Sequence, residues 1–141
     1  MSATYKQAVD DILAVFRVAW ATTAGKDIDR VIFPNIQKKV PAGRGDWARV
    51  IIKHLDGGQA AMGDDVKSYD RFGMLVVQIF ISVGDGLDSG YALGKIMDDA
   101  YAGIRTPCDV WFRNGTIREI DPVGEFYQFN FSVEFEYNEV K

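Results

Sequence analysis

Tyr127-Gln128-Phe129-Asn130-Phe131-Ser132-Val133-Glu134-Phe135-Glu136-Tyr137 is the stretch whose reading decides the fold. Aromatic or branched apolar residues occupy every second position, and amides, a serine and carboxylates fill the gaps. Successive strand side chains point to opposite faces, so the stretch has one apolar and one polar face; a helix would scatter the aromatics around its circumference. At about 3.3 Å per residue such a strand runs roughly 36 Å. A face this apolar needs a cover, and Phe129, Phe131 and Phe135 are expected beneath it. The polar face suits a sheet that is wet on its other side.

Two helical patterns elsewhere supply that cover. From Thr4 to about Thr22, Tyr5, Val9, Ile12, Leu13, Phe16 and Trp20 fall on one stripe, with Thr4 and Gln7 at capping-box spacing and Gly25 at the stop. From about Leu87 to Ala102, Leu93, Ile96, Met97, Ala100 and Tyr101 form a second stripe, where Gly90 and Gly94 let the helix lie close on a sheet. Val31 to Phe33 is a short extended piece ended by Pro34. Trp47 to Leu55 alternates as a strand, Gln59 to Met62 continues toward a partner, and Tyr69 to Val83 is a long, nearly continuous apolar strand. Such a run suits a central strand with much of both faces covered. Asp109 to Phe112 and Thr116 to Val123 read as two strands joined by a hairpin at Asn114-Gly115. The expected fold is a single α+β domain over residues 1–141, an antiparallel sheet with two helices packed on one face, in the order α-β-β-β-α-β-β-β.

A chain of 141 residues buries a core without covalent staples. Its net charge of −4 argues against general attraction to nucleic acid or anionic lipid. The single Cys108 excludes an intramolecular disulfide, and no apolar run reaches membrane-spanning length, so a cytosolic protein is expected at synthesis.

Signals for chemistry are sparse. Gly84-Asp85-Gly86 follows a strand and precedes a helix, but Ser89 stands where a dinucleotide fingerprint wants its third glycine, and Asp85 and Asp88 repel phosphate. His54 is the only histidine, with no nearby cysteine or second ligand, so neither a metal site nor a catalytic triad is expected. Asp64, Asp65 and Asp70 lack the spacing of a calcium loop. Cys108 has no activating neighbour in sequence. No cofactor is expected. Loop character marks two contact segments, Ile36 to Asp46 with Lys38, Lys39 and Arg44, and Gly57 to Ser68 with Asp64, Asp65 and Lys67. A solvated, functionally silent loop is the competing reading of the basic segment.

Three stretches together carry a family resemblance: Phe33-Pro34-Asn35 before a Pro/Gly-containing loop, Trp47-Ala48-Arg49-Val50 opening a strand, and Arg71 to Phe80 followed by Gly84-Asp85-Gly86 and a helix. Over roughly Val31 to Ala102 the chain resembles the tail terminator (tail-completion) proteins of long-tailed bacteriophages. The resemblance implies a structural virion protein rather than an enzyme. It implies a homo-oligomeric ring, usually a hexamer, on the head-proximal end of the tail tube, assembled in the host cytoplasm. The implied partners are further copies of the chain, the tube protein and the head-side connector or neck protein. DNA would pass through the channel without sequence-specific binding, and no membrane is involved. Two other readings stay open: a stand-alone small-ligand or peptide binding module using an edge strand, and an enzyme on the same scaffold.

Overall fold

The computed structural model describes residues 4–34, 36, 39, 41, 45–55, 58–62, 67–82, 87–120, 122 and 126–140, with the backbone alone for 58–62, 67 and 140. Helix α1 (Tyr5–Arg17) starts at the expected capping box: Thr4 Oγ1 accepts from the Gln7 N–H, and Gln7 Oε1 accepts from the Thr4 N–H. It runs on into a π-helical turn, Val18–Thr23, in which the Ala24 N–H reaches back five residues to the Ala19 carbonyl. Ala8, Ile12, Phe16, Ala19 and Trp20 are buried, and the Trp20 Nε1–H donates to the Asp27 carbonyl at 2.9 Å. Trp20 is therefore a core residue with its polar atom satisfied.

Strands β1 (Val31–Ile32), β2 (Trp47–His54), β3 (Gly58–Met62) and β4 (Lys67–Ser82) precede helix α2 (Leu87–Tyr101), and β5 (Trp111–Glu119) and β6 (Phe126–Val140) follow it. The sheet order is β1-β2-β4-β6-β5. Strand β6 takes one edge of β4 from Ser68 to Ser82; β2 and β3 share the other, opposite Gly73–Phe80 and Lys67–Asp70 respectively. The fold is α+β, as expected, with two corrections to the detail. First, β1 pairs with β2 in parallel, so the sheet is mixed rather than wholly antiparallel. Second, the strands divide four before α2 and two after it, because Val31–Ile32 pairs as a strand and Asn114-Gly115 is no hairpin.

Asn114-Gly115 is instead a bulge within one continuous strand: Arg113 pairs with Glu134 and Thr116 with Ser132, so two residues of β5 face Val133. The left-handed backbone that the dipeptide favours is present, at φ 58° on Asn114. The hydrophobic pattern explains why the chain does not reverse there. Phe112 and Ile117 lie five residues apart and would fall on opposite faces of a regular strand; the inserted residue places both on the core face, beside Phe135 and Phe131.

Both helices pack on that face, in one core that includes Ala8, Ile12, Phe16, Leu93 and Met97 from the helices and Val50, Leu75, Val77 and Ile79 from the sheet. Phe129, Phe131 and Phe135 lie within it as expected, each no more than 1% exposed. The buried Tyr101 hydroxyl donates to the Ile12 carbonyl at 2.9 Å and ties α2 to α1. The other face of β4 is covered in part: Phe80 and Ser82 are buried there, whereas Met74 and Val76 are half-buried.

Gly90 is what lets α2 come down onto β6. A Cβ there would stand 2.1 Å from Phe129 Cε1, whereas one at Gly94 would stand 3.1 Å from Ile117. Gly90→Ala is therefore expected to destabilise the fold by about 1–3 kcal/mol through overpacking, although alanine is the better helix former by about 1 kcal/mol. Gly94→Ala should cost less, and denaturant melts of the two variants check the ranking.

Candidate interaction surfaces

The face of the sheet away from the helices begins with aromatics. Trp47 and Phe80, cross-strand neighbours, stack with ring centroids 3.9 Å apart, and Phe126 meets Trp47 edge-on. With Ile32 they form a small second core on this face. One row further, Arg49, Gln78, Asn130 and Arg118 stand in register across β2, β4, β6 and β5. Among the described residues, Trp47 Nε1 and Gln78 Oε1 are buried there without a hydrogen-bond partner. Orphaned polar atoms of this kind cost roughly 1–3 kcal/mol each. Among the described residues no helix covers this face.

The sheet margins are unlike each other. On one side β5 presents an outer edge with exposed Arg113, Asn114, Thr116 and Arg118, and its bulge and charges discourage casual pairing. On the other side β1 pairs only with Ala48 and Arg49, and among the described residues no strand takes up Val50–His54 there. A concavity of about 390 Å³ lies along that margin, lined by Ile32, Phe33, Pro34, Ile36, Ile51 and Ile52 among others. Ile36 is 57% exposed at its lip.

At one end of the sheet the helical cover stops. Tyr5, at the start of α1, stacks edge-on with His54 and Tyr137. Beyond it β3, β4 and β6 continue as a three-stranded arm. Between Gly73, opposite His54, and the start of β4 at Lys67 it extends about 20 Å at roughly 3.3 Å per residue. Arg71 sits at the junction, its guanidinium 5.2 Å from the Tyr5 ring centroid and 5.0 Å from that of Tyr69. It donates from Nε and Nη2 to Glu139 Oε1 at 3.2 and 3.1 Å, and both side chains are largely buried. On the arm's other face Asn138 Nδ2 donates to Ser68 Oγ and Asp70 Oδ1.

Of the residues expected to make contacts, Lys39 is exposed. Lys38, Arg44, Asp64 and Asp65 lie outside the described residues, as does Gly84-Asp85-Gly86. The backbone of Lys67 opens β4 opposite Met62; its side chain is likewise outside the described set. The far end of the basic segment is pinned: Arg30 donates to the Gly45 and Asp46 carbonyls, and Lys26 pairs with Asp46 at 2.8 Å. Sequence reasoning missed this clamp and the Arg71 junction, because both join residues far apart in the chain.

Other chemistry is sparse here too. Among the described residues no three His, Cys, Asp or Glu side chains gather as a metal site. Burial and the adjacent Asp11 carboxylate push the Cys108 thiol up, which keeps it protonated. Among the described residues no helix is long and apolar enough to cross a membrane.

No family model matches the chain, and no curated protein does. A solved structure of a protein whose designation carries no activity superposes with a TM-score of 0.63, over 92% of this chain and 94% of its own, at 18% identity. That likeness is one of fold alone.

Removing Arg71 would strand the Glu139 carboxylate in a mostly buried place. Arg71→Ala is expected to cost about 2–3 kcal/mol, and Arg71→Ala with Glu139→Ala less than the sum of the single changes. A double-mutant cycle by urea denaturation measures the difference.

Proposed function

We propose that this chain is a tail terminator of a long-tailed bacteriophage, a structural subunit that closes into a homo-oligomeric ring, a hexamer, on the head-proximal end of the tail tube. The ring ends tube polymerisation on one face and offers the other to the head-side connector or neck protein, and DNA passes through its channel without sequence-specific contact. The role is geometric: no catalytic step and no cofactor enter it.

The stretches that carry the resemblance fall on adjoining parts of the sheet. Phe33-Pro34 follows β1, Trp47 to Val50 opens β2, and Arg71 to Phe80 fills the middle of β4. The observation that carries the reading is the pair of unlike sheet margins, the bulged and charged β5 edge on one side and the β2 concavity on the other. Two different patches on one subunit produce head-to-tail contacts, which close into a ring when the rotation per subunit divides a full turn. Lys38, Lys39 and Arg44 suit steering toward an acidic neighbour.

A second reading, a stand-alone peptide or small-ligand module, draws on the same β2 margin. The apolar concavity beside an incompletely paired strand fits a short extended peptide.

Reversal of Lys38, Lys39 and Arg44 to Glu separates fold from assembly. The melting temperature should stay within about 2 °C of the parent, as for exposed loop substitutions. Tail completion and retention on tubes should fall, and added salt should weaken attachment of the parent chain. Reconstruction of intact particles is expected to place the chain as a ring at the head-proximal tail end; finding it elsewhere overturns the assignment. Stable monomers that bind peptide and never join tails favour the module.

A further inference from the structure

His54, at the junction between the helix-covered core and the arm, is held on several sides. Its Nε2 lies 2.7 Å from the Tyr137 hydroxyl, and its ring meets Tyr5 edge-on at 4.7 Å, Phe135 at 5.3 Å and Tyr137 at 5.7 Å. Tyr5 comes from α1, Phe135 and Tyr137 from β6, and the strand between, β4, brings Arg71. Arg71 is in turn paired with Glu139 of β6, so that carboxylate is already engaged by the guanidinium.

We propose that His54 is a proton-operated latch for the β3-β4-β6 arm, closed while the ring is neutral and released by mild acid. Neutral imidazole satisfies the Tyr137 contact in either sense, accepting the phenol proton or donating to its oxygen; imidazolium can only donate. Protonation also places a second cation beside Arg71 in a half-buried aromatic box. Tyr5 and Tyr137 offer their rings to the new charge, but neither supplies a formal negative charge to balance it. The groups that join α1 to the base of the arm are thus the groups that protonation disturbs. Strands β2, β4 and β6 remain paired beneath the helices, so the change is local.

The sign follows from the environment. Burial, and then Arg71, lower the imidazole pKa below its usual 6.5. The unfolded or opened chain therefore binds the proton more tightly than the latched one. The latch contributes its full stability above pH 6.5 and loses it as pH falls through the lower, folded-state value.

Because the chain has one histidine, its imidazole signals in a proton NMR titration need no assignment. The expected midpoint lies below 6.5. The backbone amides of Tyr69, Arg71, Asn138 and Glu139 should shift and lose exchange protection with that same midpoint, while those of Val77 and Phe131 hold theirs. In His54→Gln the arm amides should show no transition at that pH; His54→Phe, which keeps an aromatic ring in the box, serves if the glutamine variant does not fold. A midpoint at or above 6.5, arm amides unmoved through the titration, or the same transition in the variants overturns the latch. The outcome is independent of whether the chain forms rings.

Discussion

The antiparallel pairing of β4 with β6, Ser68 opposite Val140 through to Ser82 opposite Phe126, is the constraint on which the rest of the molecule depends. It fixes the phase of both strands at once: a slip of one residue would send Phe129, Phe131 and Phe135 to the wet face and Ser132 and Glu134 into the core. It also sets what the neighbours must be. Gly73 faces Phe135 across the ladder, and a Cβ there would meet the phenyl ring at 2.5 Å and the Lys53 carbonyl at 2.2 Å. Gly90 makes the equivalent allowance from the helix side. The bulge in β5 then brings Phe112 and Ile117 onto the face that the ladder has defined.

How much of this was legible in the sequence varied with how local the cause was. The capping box at Thr4, the buried aromatics of β6 and the close approach at Gly90 rest on periodicity or on neighbouring residues, and all were readable. Asn114-Gly115 was misread because its local signal, a left-handed backbone, is shared by hairpins and bulges. The five-residue spacing from Phe112 to Ile117 separates the two, but only once the core face is known. The parallel seating of β1 depends on a partner seventeen residues away, which local pattern does not encode. Most of the expected contact residues, Lys38, Arg44, Asp64 and Asp65, lie outside the described residues. The junction of His54, Arg71, Tyr137 and Glu139 draws on three strands, and no short motif announces it.

The division of the ladder gives the molecule two kinds of surface. Under α1 and α2 it is a core element, dry on one face. Past Tyr5 the same strands leave the helices and continue as a thin arm in which Arg71 bonds Glu139 and Asn138 bonds Ser68 and Asp70. In the proposed assembly, an arm already held by an ion pair and an aromatic box would lower the ordering cost. The unlike margins of the sheet and this arm are the features on which the proposed ring draws.

Native-state hydrogen exchange across low denaturant concentrations tests the central claim, that one ladder serves as core at one end and as arm at the other. Amides of Leu75 to Ile79 and Phe129 to Phe135 should exchange only through global unfolding and share one free energy. Those of Tyr69, Asp70, Asn138 and Glu139 should exchange through a smaller, local opening with weak denaturant dependence. A single isotherm spanning all of β4 and β6 would contradict the division, and the lowest protection falling at Leu75 or Phe131 would contradict the fold itself.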